Sequence, residues 1–158
     1  VLDARPTAAA AARFAGLARL VSLANVPPSA LAGEVTVDPW TAAVVMTHNY
    51  LDDLAWLAAL LPTPAPYVGL LGPAARRDRL VADLAEQGLA LDAPMRGRLH
   101  GPAGLDLGGR APEQVALAIA AEIQAVMTGA SAGALSRTRA NAADTADAAP
   151  QPTVDSEP

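Results

Sequence analysis

The feature that most constrains the fold is an uninterrupted apolar run, Ala42–Met46, followed at once by the polar residues Thr-His-Asn. Five consecutive apolar residues rich in valine are typical of a strand buried on both faces of a parallel sheet. A helix is predicted directly afterwards, over 50–61, because its apolar residues recur at the spacing of one buried face. In an open parallel sheet, ligands lie where the carboxyl ends of the strands meet the following loops. We therefore expect His48 to lie at the mouth of a binding site.

Further along the chain the same arrangement of strand and helix recurs. Tyr67–Gly72 is predicted as a second buried strand that runs into a glycine turn, and Pro73–Gln87 as the helix after it. One helical turn is predicted over Pro94–Leu99. A glycine-rich loop, His100–Gly109, then precedes a long helix over Pro112–Met127. This alternation predicts an α/β fold, a Rossmann-like three-layer parallel sheet with helices on both faces.

The two ends of the chain are interpreted differently from its centre. Val1–Asp3 looks like the tail of a strand with nothing before it, and a short helix over Pro6–Phe14 and a strand over Leu20–Ala24 follow. We therefore expect a fragment from which the first strand–helix unit is missing. From Gly129 onward the composition is polar and alanine-rich without periodicity, which predicts disorder. The expected organisation is one domain over 1–128 and a disordered tail over 129–158.

Composition excludes several classes of function. All eleven basic residues are arginine, and the absence of lysine excludes Schiff-base chemistry and the Tyr/Lys pair of many nicotinamide oxidoreductases. The absence of cysteine excludes a disulfide, a thiolate metal site and a persulfide carried by this chain. A net charge of −5 lacks the basic excess of nucleic-acid-binding proteins. Neither a signal peptide nor a membrane-spanning run is recognisable, so a cytoplasmic location is expected.

Four blocks of the sequence occur together in an order that resembles one known family. They are Val44–Asn49 with Asp53, Tyr67–Gly72 with the arginines after it, His100–Gly108 followed by Pro112–Ile123, and the shorter Asp3–Pro6. Together they resemble the C-terminal Rossmann domain of the xanthine dehydrogenase accessory proteins (XdhC/CoxI). The resemblance spans the chain from its third residue to about residue 126. It departs from the family in lacking the glycine-rich first unit and the cysteine-bearing N-terminal domain.

The resemblance implies a maturation factor for molybdenum hydroxylases, a chaperone for a cofactor and not a catalyst. Such proteins bind molybdenum cofactor (molybdopterin), protect it while its terminal sulfur is installed, and deliver it to the apo-enzyme. The implied partner is an apo molybdenum hydroxylase of the xanthine dehydrogenase or CO dehydrogenase type, with a cysteine desulfurase and a second copy of the chain as further expected partners. NAD(P) is a further expected ligand of the full-length protein.

Side chains in the predicted loops supply the expected binding residues. His48 offers an imidazole to a pterin edge or a metal-bound oxygen, and Asp53 either orients that ring or only closes the turn. Asp3 stands where a dinucleotide fold places the acid for a ribose hydroxyl. Asp106 is either a pocket acid or a turn former, among glycines that let backbone approach a ligand closely. The expected cofactor-binding set is Asp3, His48, Asp53, Gly69, Gly72, Arg76, Arg77, Gly101, Gly104 and Asp106.

Arginines at the start of the second predicted helix indicate an anion. Arg76, Arg77 and Arg79 crowd the first two turns of a helix whose N-terminus already carries partial positive charge. Proteins tolerate this where an anion is held, since backbone N–H groups also point outward there. The expected anion is a phosphate of the pterin cofactor or of a dinucleotide. The alternative is a solvated face with Arg79 and Asp83 as an ion pair.

Other residues are interpreted as structural. Glu122 interrupts the apolar face of the last helix, where an unpaired carboxylate is costly. We expect it to accept hydrogen bonds from amides of the glycine loop or from an arginine, in preference to a catalytic role. The bulky residues interpreted as core are Trp40, Trp56, Leu80 and Leu84. Two alternatives remain open: a nicotinamide-dependent oxidoreductase with His48 as general acid and base, and a fragment that binds nothing unaided.

Overall fold

Within the described residues, three parallel strands form a sheet in the order β1–β2–β3. The structure is a computed structural model that describes residues 1–2, 16 and 24–136. The elements are β1 (Ala42–Val45), β2 (Tyr67–Leu70), β3 (Leu99–His100), α1 (Leu31–Glu34), α2 (Tyr50–Leu60), α3 (Ala74–Glu86), α4 (Ala93–Arg98) and α5 (Pro112–Thr128), with a 3₁₀ turn at Pro28–Ala30. The predicted α/β class and parallel sheet are therefore confirmed. Asp3, the predicted helix over 6–14 and the tail beyond 136 lie outside the described residues.

Helices pack on both faces of the sheet. Val68 and Leu70 point into the core that α2 and α3 cover. Tyr67 and Gly69 alternate with them and therefore face the other way, toward α5, which packs on β2. His100 is in register with Gly69, so the ring of His100 lies on the α5 face as well.

The core consists mainly of leucine. Leu57, Leu61, Leu80 and Leu84 are fully buried, and each fully buried leucine contributes about 1.5–3 kcal/mol relative to an exposed one. Trp56 is also buried, so these interpretations as core are confirmed. The interpretation of Trp40 as core is wrong.

Trp40 is 79% exposed. It lies in a turn before β1, in which the Asp38 side chain accepts from the Trp40 amide at 3.0 Å and from the Thr41 hydroxyl at 2.7 Å. Trp40 therefore lies ahead of the first residue of β1, and its indole does not pack on the sheet.

Both ends of α2 are held by side chains. Asn49 caps its start, because its side-chain oxygen accepts from the amides of Leu51 and Asp52 at 2.8 and 3.2 Å. Beyond its end, the Arg98 guanidinium donates to the carbonyls of Leu61, Thr63 and Ala65 at 3.0, 2.6 and 2.6 Å. These contacts fix the connection between α2 and β2 to the residue that precedes β3.

The first described residues form a separate fragment of parallel pairing. Leu2 and Ala24 form an isolated parallel bridge, and the Ala24 amide donates to the Val1 carbonyl at 3.1 Å. The bridge joins the predicted strand tail to the last residue of the predicted strand over 20–24. In the part of the chain that the structure describes, no helix is long and apolar enough to cross a bilayer.

Candidate functional site

The loops after the three strands lie together at one edge of the sheet. Parallel neighbouring strands end on the same side, and two backbone bonds join the loops directly. The Leu71 amide donates to the Val45 carbonyl at 2.9 Å, and the Ala103 amide donates to the Leu70 carbonyl at 3.1 Å. We name the loops at 46–49, 71–73 and 101–109 the carboxyl rim. His48, Gly72 and Gly104 thus belong to one continuous surface.

His48 is an exposed residue at the first turn of the carboxyl rim. Its φ is 63°, in the left-handed region where histidine is among the few side chains enriched. The next residue, Asn49, caps α2, so the chain reverses at His48 between the strand and the helix. This conformation leaves the imidazole outside the turn, available to a ligand.

Asp53 is buried behind that turn, with 1% of its side chain exposed. It accepts from the Thr47 hydroxyl at 2.6 Å and the Thr47 amide at 3.3 Å, and from two nitrogens of Arg76 at 2.6 and 3.0 Å. Within the described residues no hydrogen bond joins it to His48. Asp53 therefore ties the turn after β1 to α3, and of the two roles expected for it the geometry favours closing the turn.

The arginines of α3 make internal contacts. Arg77 donates to the Gly101 carbonyl at 2.5 Å and to the Asp78 carboxylate at 2.7 and 2.9 Å. Arg79 lies 5.2 Å from the centre of the Tyr50 ring. Among the described ion pairs none joins Arg79 to Asp83, whose carboxylate accepts from the Tyr50 hydroxyl at 2.7 Å instead. The solvated ion pair weighed from the sequence is thus replaced by contacts between α3 and α2.

Arg76 keeps one nitrogen outside this network. Its Nε and Nη2 hold Asp53, and its Nη1 makes no hydrogen bond in the described part of the chain. No buried side-chain nitrogen or oxygen there lacks a partner, so Nη1 reaches solvent. The positive charge is paired, but one donor remains at the surface.

The N-terminus of α3 offers backbone donors to the carboxyl rim. Gly72 has a φ of 144°, and a Cβ there would lie 3.0 Å from Cδ of Arg76. Pro73 is the N-cap and makes no side-chain capping bond. The amides of Ala74 and Ala75 are therefore left without a helical partner, in the position where helices bind anions.

Glu122 joins α5 to two strands and to the glycine loop. Its Oε2 accepts from the Gly104 amide and from the Tyr67 hydroxyl, each at 2.7 Å, and its Oε1 lies 3.3 Å from Nδ1 of His100. The imidazole stacks on the Tyr67 ring with centroids 4.4 Å apart. The prediction that Glu122 accepts from an amide of the glycine loop is confirmed.

The surroundings of Glu122 and Tyr67 shift the pKa of each side chain. Burial raises the pKa of the Glu122 carboxyl, but the Gly104 amide, the Tyr67 hydroxyl and the His100 ring outweigh burial and hold that pKa below its ordinary value. Burial raises the pKa of the Tyr67 hydroxyl, and the hydrogen bond to Glu122 and its charge raise it further. Near neutral pH the cluster therefore contains a carboxylate and a phenol.

The remaining expected residues occupy positions of different kinds. Gly69 is buried in the middle of β2, where a Cβ would lie 2.7 Å from Cε1 of Tyr67, so the tyrosine ring fills that space. Gly104 has a φ of 109° and packs against α5, where a Cβ would lie 3.1 Å from that of Ala118. Gly101 is buried under Arg77. These glycines admit neighbouring parts of the protein itself.

Asp106 is exposed in the glycine loop. Its Oδ1 accepts from the Gly108 amide at 3.3 Å, which favours the turn-forming role over the pocket acid. Sequence reasoning missed Tyr67 and His100 as members of a polar cluster. The sequence signal was limited to Tyr67 and Gly69 sharing a strand face, because the strand that His100 ends is not predicted from the sequence.

Two cavities lie away from the carboxyl rim. One of about 510 Å³ lies beside the segments that lead into the strands, between Leu31, Val37 and Thr63. The other, about 340 Å³, lies between α3 and the residues around α4. Of the expected cofactor-binding residues that the structure describes, only Arg77 lines one of these two cavities. In the described residues no three His, Asp or Glu side chains converge to hold a metal ion.

Comparison with known proteins gives concordant matches. The profile of the XdhC Rossmann domain matches residues 1–123. A Bacillus subtilis (strain 168) protein named as a probable subunit of xanthine dehydrogenase is 30% identical over 123 residues, which are 78% of this chain and 34% of that protein. A crystal structure of a xanthine dehydrogenase from Bacillus halodurans covers 90% of this chain and 38% of its own, with a TM-score of 0.63 and 24% identity. The chain thus spans about a third of the length of the curated relative, and the structural match shows the Rossmann fold.

Proposed function

Because this chain belongs to the XdhC Rossmann domain family, we propose that it takes part in maturing a molybdenum hydroxylase. It binds molybdenum cofactor at the carboxyl rim and delivers it to an apo-enzyme of the xanthine dehydrogenase type. The name of the B. subtilis relative supports this class of client. The role is one of binding and transfer, in which the described side chains need make or break no covalent bond.

The observation that carries the proposal is the convergence of three loops over one edge of the sheet. This is the place where open parallel sheets bind ligands, and it brings an exposed imidazole near an uncapped helix N-terminus. Topology alone joins these groups, since they lie far apart in the sequence. The same edge would serve a dinucleotide, so NADH is the natural competing ligand.

The donors at the rim suit a phosphorylated pterin. The amides of Ala74 and Ala75 and the free Nη1 of Arg76 would hold the phosphate, and His48 would contact the heterocycle or an oxygen on the metal. Arg77 would act indirectly, by holding the glycine loop through the Gly101 carbonyl. Phosphate binding would thus depend mainly on backbone amides, with Arg76 as the one arginine that touches the anion.

Equilibrium binding of molybdenum cofactor to the 158-residue chain tests the proposal. We expect saturable binding that weakens up to about tenfold in His48→Asn, which removes one hydrogen bond. Asparagine also tolerates a positive φ, so the turn should persist. Glu113→Gln on the exposed start of α5 is the matched control and should bind as the wild type does.

Two results would overturn the proposal. If the wild type does not bind the cofactor under conditions in which it is folded, the carboxyl rim is not its site. If NADH binds saturably while molybdenum cofactor does not, the oxidoreductase alternative replaces it. Restoration of activity to an apo molybdenum hydroxylase by the loaded chain would test delivery separately from binding.

A further inference from the structure

We propose that His100, directly before the last loop of the carboxyl rim, is a further ligand-binding residue and presents Nε2 as a hydrogen-bond acceptor to an N–H donor of the bound heterocycle. The inference rests on the proposed function for the identity of the ligand. It assigns a role to a residue that sequence reasoning did not place in the site.

The partner of His100 determines which ring nitrogen carries the proton. Oε2 of Glu122 takes two donors, the Tyr67 hydroxyl and the Gly104 amide, as an ionised carboxylate does. An ionised carboxylate only accepts, so Nδ1 of His100 must donate across the 3.3 Å contact to Oε1. The neutral ring then has its lone pair on Nε2.

The ring is held in one orientation by contacts on its face and its edge. Tyr67 stacks on it with an interplanar angle of 24°, and the missing side chain of Gly69 gives Tyr67 the space to do so. The hydroxyl of Tyr67 is itself fixed by Glu122. A ring fixed before binding loses little rotational freedom when a ligand arrives.

The acceptor nitrogen is open to solvent. Nε2 makes no hydrogen bond in the described part of the chain, where no buried polar side-chain atom lacks a partner. It must therefore contact water, although only 20% of the His100 side chain is exposed. His100 is the last residue of β3, so it lies directly before the loop of the carboxyl rim at 101–109.

The charges around His100 select the kind of group that binds there. Glu122 carries a negative charge beside the ring and repels an anion. Arg77, which contacts the residue after His100, is directed at the Gly101 carbonyl and at Asp78. The ligand should therefore place its N–H edge at His100 and its phosphate at the start of α3. The rim thereby has a donor-recognition end and an anion-binding end.

A first test needs no ligand. Nitrogen–proton NMR spectra reveal the tautomer of each of the two histidines, and His48→Asn assigns the remaining signal to His100. At a pH at which the ring is neutral, we expect its proton on Nδ1. A proton on Nε2, or rapid exchange of the kind expected for an exposed histidine, would overturn the inference.

A matched pair of substitutions tests the contact with the ligand. An asparagine amide reproduces the Nδ1 donor only, whereas the longer glutamine can place its oxygen near the position of Nε2. We expect His100→Asn to bind molybdenum cofactor about tenfold more weakly than the wild type, the loss of one hydrogen bond. His100→Gln should recover most of that affinity, and thermal denaturation of both variants should show that they remain folded at the binding temperature.

The outcomes separate this inference from the proposed function. If the wild type binds the cofactor and His100→Asn binds it equally well, His100 does not contact the ligand and only this inference falls. Equal losses in both variants would also overturn it, since a merely structural role predicts no recovery by glutamine. If the wild type binds no cofactor, the proposed function falls together with this assignment of the ligand.

Discussion

Asp53 and Glu122 each tie a loop of the carboxyl rim to a helix, but they do so with different partners. Asp53 holds the turn after β1 through Thr47 and pairs with the full positive charge of Arg76. Glu122 holds the glycine loop through Gly104 and otherwise accepts from a phenol and an imidazole. The first carboxylate is neutralised by its neighbour, and the second remains a local negative charge unless the histidine is protonated.

This difference separates a carboxylate that mainly holds two elements together from one that also orients a candidate acceptor. The Asp53 carboxylate is 1% exposed and its ionic partner 26% exposed, so the pair is nearly removed from water. Burying such a pair without all its hydrogen bonds is costly, and here its bonds are made internally. The Glu122 cluster also satisfies its buried atoms, but it leaves Nε2 of His100 at the surface with a fixed orientation. The first arrangement leaves only a donor, Nη1 of Arg76, at the surface, whereas the second presents an acceptor to a ligand.

The largest effect is expected from breaking the Asp53 pair. Asp53→Asn leaves Arg76 without its counter-ion and Thr47 with a weaker acceptor, so the free energy of unfolding should fall by about 3 kcal/mol. Chemical denaturation near neutral pH measures this. Asp52→Asn, one residue earlier in α2, is the control and should cost less than about 1 kcal/mol. Equal losses in the two variants would show that the Asp53–Arg76 pair contributes no more than its place near the helix start.

A smaller loss is expected from the second carboxylate. Glu122→Gln keeps one acceptor oxygen but cannot serve the Gly104 amide and the Tyr67 hydroxyl with full charge, so we expect a loss of about 1–2 kcal/mol near neutral pH. Glu113→Gln, on the exposed first turn of the same helix, is the control. A loss as large as that of Asp53→Asn would contradict the distinction between the two clusters.

Acid should remove the difference between the wild type and Glu122→Gln. The folded protein holds the pKa of Glu122 below the ordinary 4.5, so the unfolded chain takes up the proton first. The stabilisation is present above pH 4.5 and is lost as the pH falls through the lower folded value. The gap between the two unfolding free energies should therefore narrow in that window. A gap that stays constant would mean that the charge of Glu122 is not what stabilises the cluster.

Strands and helices could be predicted from the sequence where their pattern of apolar residues is long. The apolar runs at β1 and β2 and the long repeat of α5 each supply enough residues to show a period, and the predicted strands and helices are confirmed there. β3 has two residues and was missed, because Pro94–Leu99 looked like one helical turn. Trp40 was misplaced since an indole in a turn looks in sequence like a core residue.

The place of the candidate residues at one edge of the sheet was predictable from the sequence, but their contacts were not. His48 and Gly72 each follow a predicted strand, and neighbouring parallel strands end at the same edge of the sheet. The partners of Arg76 and Arg77 lie 23 and 24 residues away, and no local spacing encodes such pairs. The role of Tyr67 required knowing that His100 stands in register with Gly69. The family resemblance is confirmed by the matched profile over 1–123, but it did not supply these contacts.

The smallest effect concerns the neutral donor of the second cluster, the Tyr67 hydroxyl. Tyr67→Phe removes its bond to Glu122 and should cost about 1 kcal/mol near neutral pH. Because burial first, and then the bond to Glu122 and its charge, raise the pKa of Tyr67, the folded protein retains this proton when an unfolded chain would lose it. The stabilisation is therefore present below about pH 10, the ordinary tyrosine value, and is lost as the pH rises further.

An alkaline titration followed by absorbance and circular dichroism measures this loss. The phenolate absorbance of Tyr67 should appear together with loss of the helical circular dichroism signal, and Tyr67→Phe should remove that component. Tyr50→Phe, whose hydroxyl bonds Asp83 outside the Glu122 cluster, should leave it in place. Ionisation of Tyr67 at a pH well below that of unfolding would show that the phenol is open to water. It would also contradict the fixed orientation of the His100 ring, which stacks on Tyr67.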